Sequence, residues 1–134
     1  MNQLDLFKGK WQRGVRPPDP LEREIHITLV RIFRASKLPG WGMLHPANGE
    51  LRTKATGALL KDMGVMAGAS DLFVFGPNKF FGALEVKRRG GTMSIEQAAF
   101  QLWIETLGFK SACVDSVKEG VAVLKKWGAV RVSL

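Results

Sequence analysis

Gly68–Gln97 reads GASDLFVFGPNKFFGALEVKRRGGTMSIEQ, and the fold follows from how this stretch divides. Leu72 to Phe75 and Phe80 to Val86 are apolar runs rich in aromatic and β-branched residues, and Gly76-Pro77-Asn78-Lys79 between them is turn punctuation. The pattern predicts a β-hairpin. Period-two alternation sets Ala83, Glu85 and Lys87 on one face of the second arm and Leu84 and Val86 on the other. Asp71 opens the first arm, so closing the hairpin carries it towards Glu85. Two carboxylates and one ammonium then share a small patch.

That patch has a chemical meaning. Two convergent carboxylates repel each other and are stable with a hard cation between them. Mg²⁺ prefers oxygen ligands, keeps several waters and is held by one or two carboxylates together with substrate phosphate. A bound divalent cation acidifies water and stabilises charge on a phosphoryl oxygen. Lys87 is placed to orient the water or to neutralise developing charge. Taken alone, Glu-x-Lys is an ordinary surface ion pair of little energetic value. Asp71 across the turn, and the sequence on either side, weigh against that bland reading.

Asp71, thirteen intervening residues, then Glu85-Val86-Lys87 resembles the PD-(D/E)xK nuclease signature. The wider pattern is more specific. Asn48-Gly49-Glu50-Leu51-Arg52, Met63 to Asp71 (MGVMAGASD), Glu85-Val86-Lys87 and Ser94-Ile95-Glu96-Gln97 together resemble the VRR-NUC branch in its small stand-alone, phage-type form. The match runs from about Leu21 to Trp127. It departs at Ser70, which stands where the signature's proline usually sits; that proline shapes backbone and is not a ligand.

The rest of the chain is compatible with such an enzyme. Its 134 residues suffice for one domain with a genuine core, and 46% hydrophobic and 24% charged residues are ordinary for a globular protein. The net charge of +8 favours a polyanionic partner, nucleic acid first. No apolar run is long enough to span a bilayer, no membrane association is expected, and the N-terminus has no signal-peptide pattern. The single cysteine, Cys113, lies in an apolar run and is expected to be a buried small hydrophobe. A cytoplasmic setting is expected, a host's cytoplasm if the chain is phage-encoded.

Residues 1–20 read as a basic arm carrying Lys8, Lys10, Arg13 and Arg16 before three prolines, and residues 21–134 as the nuclease-like domain. Leu6, Phe7 and Trp11 of the arm are candidates for packing on the domain or on a second subunit. A first helix is expected over Leu21–Ser36, capped by Asp19 with Pro20 at its first position. Ile25, Leu29, Ile32 and Phe33 form its apolar stripe, and Glu22 shares that side, three residues before Ile25. Trp41 to His45 reads as a short strand and Thr53 to Met63 as a short helix. His45 is tempting as a base, but no histidine or cysteine neighbours it at a metal-ligand spacing, which argues against zinc. Gly64 and Gly68 permit a tight approach to the strand that Asp71 opens.

Asn48, Arg52 and Lys54 are candidate nucleic-acid contacts, and Arg88-Arg89-Gly90-Gly91 is either a phosphate-binding loop or a solvated connection. Ser94 and Gln97 form a capping box at the start of the longest helix, which runs to about Leu107 and ends at Gly108. Lys110 to Val114 reads as a short buried strand and Ser116 to Trp127 as a final helix. The order is helix, strand, short helix, strand, strand, helix, strand, helix, which suits an α/β fold with a mixed central sheet flanked by helices. It resembles the αβββαβ core of restriction-endonuclease-like folds.

The resemblance then implies roles. Asp71, Glu85 and the carbonyl of Val86 would bind Mg²⁺ or Mn²⁺. Lys87 would position and polarise the attacking water, and Gln97, beside it, would orient Lys87. A glutamate of the first helix, Glu22 rather than Glu24, would join the site directly or through water. The expected activity is a metal-dependent DNA endonuclease that resolves branched DNA such as a Holliday junction, working as a homodimer. A non-catalytic nucleic-acid-binding module and an RNA nuclease remain open on the same residues.

Overall fold

The computed structural model describes residues 21–46 and 54–132. The arm, with the expected Asp19 cap, and the candidate contacts Asn48 and Arg52 lie outside the described residues.

The elements run α1 (Glu22–Ser36), β1 (Gly42–Leu44), α2 (Lys54–Asp62), β2 (Leu72–Gly76), β3 (Phe80–Val86), α3 (Ile95–Thr106), β4 (Lys110–Val114) and α4 (Val117–Trp127). The described strands form a sheet in the order β1-β2-β3-β4. β1 with β2 and β2 with β3 pair antiparallel; β3 and β4 pair parallel, joined through α3. A parallel pair needs such a crossover, whereas a hairpin needs only a turn. The mixed sheet flanked by helices is the α/β, restriction-endonuclease-like architecture expected above.

Alternation along β2 and β3 decides what each face buries. Leu72, Val74, Leu84 and Val86 point to the face covered by α1 and α4, against Ile25, Leu29, Val117, Val121 and Leu124. Ala83, Phe73 and Phe81 point to the opposite face, where Phe100 and Ile104 of α3 cover them. Glu85 therefore falls on the α3 side, inside a layer that is otherwise apolar. Gln101 of α3 reaches the edge strand and donates to the carbonyl of Ala112 (2.7 Å).

Several local expectations need correction. The N-cap of α1 is Leu21, with no side-chain cap of its own. The Glu24 carboxylate, three residues on, accepts from the Leu21 backbone N–H (2.9 Å), so an acidic side chain satisfies an orphan amide where the dipole favours it. The strand β4 is not a buried strand: it is the sheet's edge, with Lys110 and Cys113 exposed and only Val114 fully buried. Cys113 is thus an exposed thiol on this edge, opposite Glu85 in the register. Partial burial first, and the Glu85 carboxylate second, push that thiol up from its ordinary value. Beyond α4, Val130 forms an isolated antiparallel bridge with Lys37.

Gly68 is held with φ +84, and a methyl there would sit 2.4 Å from the backbone carbonyl of Glu96 in the first turn of α3. This close approach brings the Ser70–Asp71 segment against α3. Gly68→Ala is expected to destabilise the fold by at least about 2 kcal/mol, combining left-handed strain with a clash against backbone. Gly64→Ala, at φ +98 with nothing within 4 Å, should show the backbone cost alone. Equal urea midpoints for the two variants would contradict the contact.

Candidate active site

The hairpin register brings the acidic residues together. Leu72 pairs with Leu84, so Asp71, one step before β2, comes level with Glu85 on β3. The Asp71 Oδ2 accepts from the Val86 backbone N–H (2.8 Å), extending the ladder with a side chain and fixing the carboxylate. Lys87 continues β3, and its backbone N–H donates to the Val114 carbonyl (2.8 Å). Its ammonium lies 3.7 Å from Glu85 Oε1.

Glu85 is the unusual group. It is 1% exposed, a charge-bearing side chain among apolar neighbours. Its Oε1 accepts from the Gln97 side-chain amide (2.9 Å). Its Oε2 has no hydrogen-bond partner within the protein. Burial first, then the neighbouring Asp71 carboxylate, push Glu85 up from 4.5 to about 8; Lys87 opposes this and Glu22 adds to it. Ser70 Oγ, beside Asp71, is a second buried oxygen without a partner in the protein. Buried oxygens without a protein partner are ones that a bound ion or water can satisfy.

Gln97 closes the capping box: Ser94 N–H donates to its Oε1 (2.8 Å) and its own N–H donates to Ser94 Oγ (3.1 Å). Its side-chain amide donates to Glu85 Oε1, the same oxygen that the Lys87 ammonium faces, so Gln97 and Lys87 meet on one carboxylate oxygen. Gln97 thereby links the start of α3 to the buried carboxylate.

Glu22 and Glu24 separate cleanly. Glu24 caps its own helix, while Glu22 lines a cavity of about 310 Å³ with Arg23, His26, His45, Asp71 and Val86. A smaller cavity of about 240 Å³ lies beyond Asp71, between His45 and the α3 N-terminus at Ser94, Glu96 and Gln97. Asp71 and His45 border both, so the two form a trough past the carboxylates. Among the described residues, no three His, Cys, Asp or Glu side chains converge closely enough to cage a metal by themselves. The carboxylates that could share a cation are Asp71 and Glu85, level with each other in the hairpin, and Glu22 lines the adjoining cavity. Two carboxylates with open positions for water and phosphate suit Mg²⁺ or Mn²⁺ and not a protein-enclosed ion. Arg88 and Arg89 follow Lys87 at this end of the sheet and are exposed, with Gly91 N–H closing a turn onto the Arg88 carbonyl (2.8 Å). Lys54 enters only as the first residue of α2.

His45 is the residue that sequence reasoning left aside. Its Nδ1 lies 2.6 Å from the Asp71 carbonyl oxygen, which makes Nδ1 the donor, and His26 packs edge-on against its ring (centroids 4.7 Å apart). The two histidines are nineteen positions apart, and no local pattern signals their meeting. His45→Ala should loosen the Asp71 backbone and lower activity by roughly tenfold. His45→Asn keeps a donor at the Nδ1 position and should recover most of it. Equal losses in the two variants, measured as kcat/KM at saturating metal, would rule out the hydrogen bond as the reason.

Among the described residues, no helix is long and apolar enough to cross a membrane. No protein-family model matches the sequence, and no curated protein is similar enough to count as a relative. A solved structure described as a VRR_NUC domain protein is similar to 82% of this chain over 89% of its own length, with a TM-score of 0.65 and 18% identity. What this chain shares with it is the fold, a VRR-NUC fold with a mixed sheet between helices.

Proposed function

We propose that the domain is a Mg²⁺- or Mn²⁺-dependent endonuclease that hydrolyses DNA phosphodiesters. The observation that carries this is a buried glutamate, Glu85, paired with Asp71 and Lys87, whose Oε2 lacks a partner in the protein. A carboxylate so desolvated is costly as an anion unless a cation meets it. The solved VRR_NUC domain protein with the same fold supports the same reading.

Asp71, Glu85 and the Val86 carbonyl would hold the cation, which supplies Lewis-acid stabilisation of the phosphoryl oxygens and a more acidic water. With Oδ2 engaged by Val86 N–H, Asp71 has Oδ1 left to coordinate. Gln97 holds Glu85 Oε1, which leaves the unpartnered Oε2 as the oxygen that would meet a cation. Lys87, half-enclosed beside Glu85, donates to the attacking water and to the charge that grows on the phosphorus oxygens. Glu22, on the far side of the trough, would orient water. Arg88 and Arg89 would neutralise flanking phosphates. In-line attack would leave 5′-phosphate and 3′-hydroxyl ends.

The substrate is proposed to be branched DNA. Arg88, Arg89, Lys125 and Lys126 are exposed, and such residues contact backbone and shape without reading bases. One site cuts one strand, so paired cuts in a four-way junction need two copies, in a symmetric homodimer. The arm residues Leu6, Phe7 and Trp11, suggested for that contact, lie outside the described residues. The test incubates the protein with duplex, single-stranded, junction and RNA substrates of equal sequence, with Mn²⁺ or EDTA, alongside light scattering. Metal-dependent cutting of junctions by a dimer is expected. Cutting of RNA alone would move the enzyme to another substrate class, and salt-sensitive binding without cleavage would make it a binding module.

A further inference from the structure

A further cavity lies away from the carboxylates. It measures about 530 Å³ and lies at the other end of the sheet, where the β2–β3 turn meets the start of β4. Phe80 to Glu85 is five residues of strand, so roughly 17 Å separates the two places at about 3.3 Å per residue. The size is that of small-ligand sites.

Its walls are aromatic and basic. Trp41, Phe80 and Trp127 stand in series, with ring centroids 4.9 and 5.5 Å apart. Glycine in the strands makes room for both indoles. A methyl on Gly76 would lie 2.6 Å from Trp41 ring carbons, and one on Gly82 would lie 2.7 Å from those of Trp127. Each indole thus lies close against the sheet, and both rings remain half-buried and line the cavity. Phe109, 39% exposed, adds a ring, and Lys79 and Lys110, both exposed, supply the charge. Among the described residues, no carboxylate lines the cavity.

We infer that this cavity is a binding site for an unpaired nucleotide of a nucleic-acid strand. Aromatic faces stack any base, and lysines beside them hold the phosphates on either side; such pairing of rings and cations defines single-strand sites without sequence preference. A base within a duplex has both faces covered by its neighbours, so the rings select strands that are splayed or unpaired. Charge complementarity favours this occupant over an apolar protein segment, which would leave Lys79 and Lys110 without counter-charge. The site needs neither the metal nor the catalytic carboxylates. It adds to the proposed branch preference a place where an unpaired strand is held.

The test uses the full chain in EDTA, so that no strand is cut, titrated with a twelve-nucleotide oligothymidylate. The indole N–H resonances of Trp41 and Trp127 should move and that of Trp103, on α3, should not. The double variant Lys79→Glu/Lys110→Glu changes only exposed side chains and avoids unfolding the aromatic cluster. It should weaken the oligothymidylate at least tenfold while metal-dependent nicking of linear duplex stays unchanged. Unchanged single-strand affinity in this variant would overturn the proposal, as would silent Trp41 and Trp127 resonances. A halving of particle mass on the same charge reversal, with single-strand affinity intact, would assign the cavity to a subunit contact instead. If no nucleic acid is cut under any condition but the indole shifts persist, the catalytic reading fails and this one stands.

Discussion

Lys87→Ala is expected to lower cleavage by at least about 10²–10³-fold while DNA binding and folding persist. Lys87 sits 3.7 Å from Glu85 with its side chain 12% exposed, and among the described residues Lys87 is the cation paired with that carboxylate. Removing it takes away a donor for the reacting water and does not remove a ligand. Metal affinity should hold or rise, because a positive charge has left the site. Asp71→Ala and Glu85→Ala should also abolish cleavage, but by the opposite route, through lost metal affinity. Neither should weaken DNA binding, since each removes negative charge near phosphate. The three variants therefore separate on a metal titration: one binds cation and does not cut, two fail to bind it. Gln97→Ala should be milder in rate and cost about 1 kcal/mol or less from the broken capping box. Wild-type cleavage by any one of Lys87→Ala, Asp71→Ala or Glu85→Ala would sink the assignment.

The hairpin was readable from sequence because its causes are local. The Pro77–Lys79 turn, with Asn78 and Lys79 both left-handed, sets the register, and register alone places Asp71 level with Glu85. Ser94 and Gln97 were readable for the same reason, since a capping box spans four residues. The features that escaped depend on contacts between distant segments. Nothing near Cys113 says that β4 is an edge, or that α3 stops short of covering it. His26 and His45 meet only because α1 and the end of β1 converge beside Asp71. Gln97 could be placed near the catalytic group from its position in the box, but its reach to Glu85 depends on how α3 docks. The phase of α1 put Glu22 on the inward side, yet Glu24 was left without a job until Leu21 proved to be the cap. Local periodicity thus located the site's backbone, and tertiary packing determined which atoms touch.

The metal-free protein is expected to lose stability as pH rises from about 5 to about 8, against the usual behaviour of carboxylates. Glu85 has a value of about 8 in the folded protein and 4.5 as its ordinary reference, so between those limits the folded state holds a proton that the unfolded chain has released. Protons bound by the folded state exceed those bound by the unfolded state, which makes the slope of unfolding free energy with pH negative there. The stabilising contribution is complete below about 4.5, falls through the neutral range, and is gone above about 8. The loss is at most on the order of 5 kcal/mol. Glu85→Gln cannot titrate, so it should remove this slope and be the more stable protein at pH 9 in EDTA. A divalent cation replaces the proton as the partner of the buried oxygen. Saturating Mn²⁺ should therefore flatten the wild-type slope, raise Tm most at alkaline pH, and release close to one proton per ion bound near pH 7. Melting curves at pH 6 and pH 9, with EDTA and with Mn²⁺, test the linkage, and titration heats in buffers of different ionisation enthalpy count the proton. Parallel slopes for the wild type and Glu85→Gln would show that the buried carboxylate is not the group that couples protons to the fold.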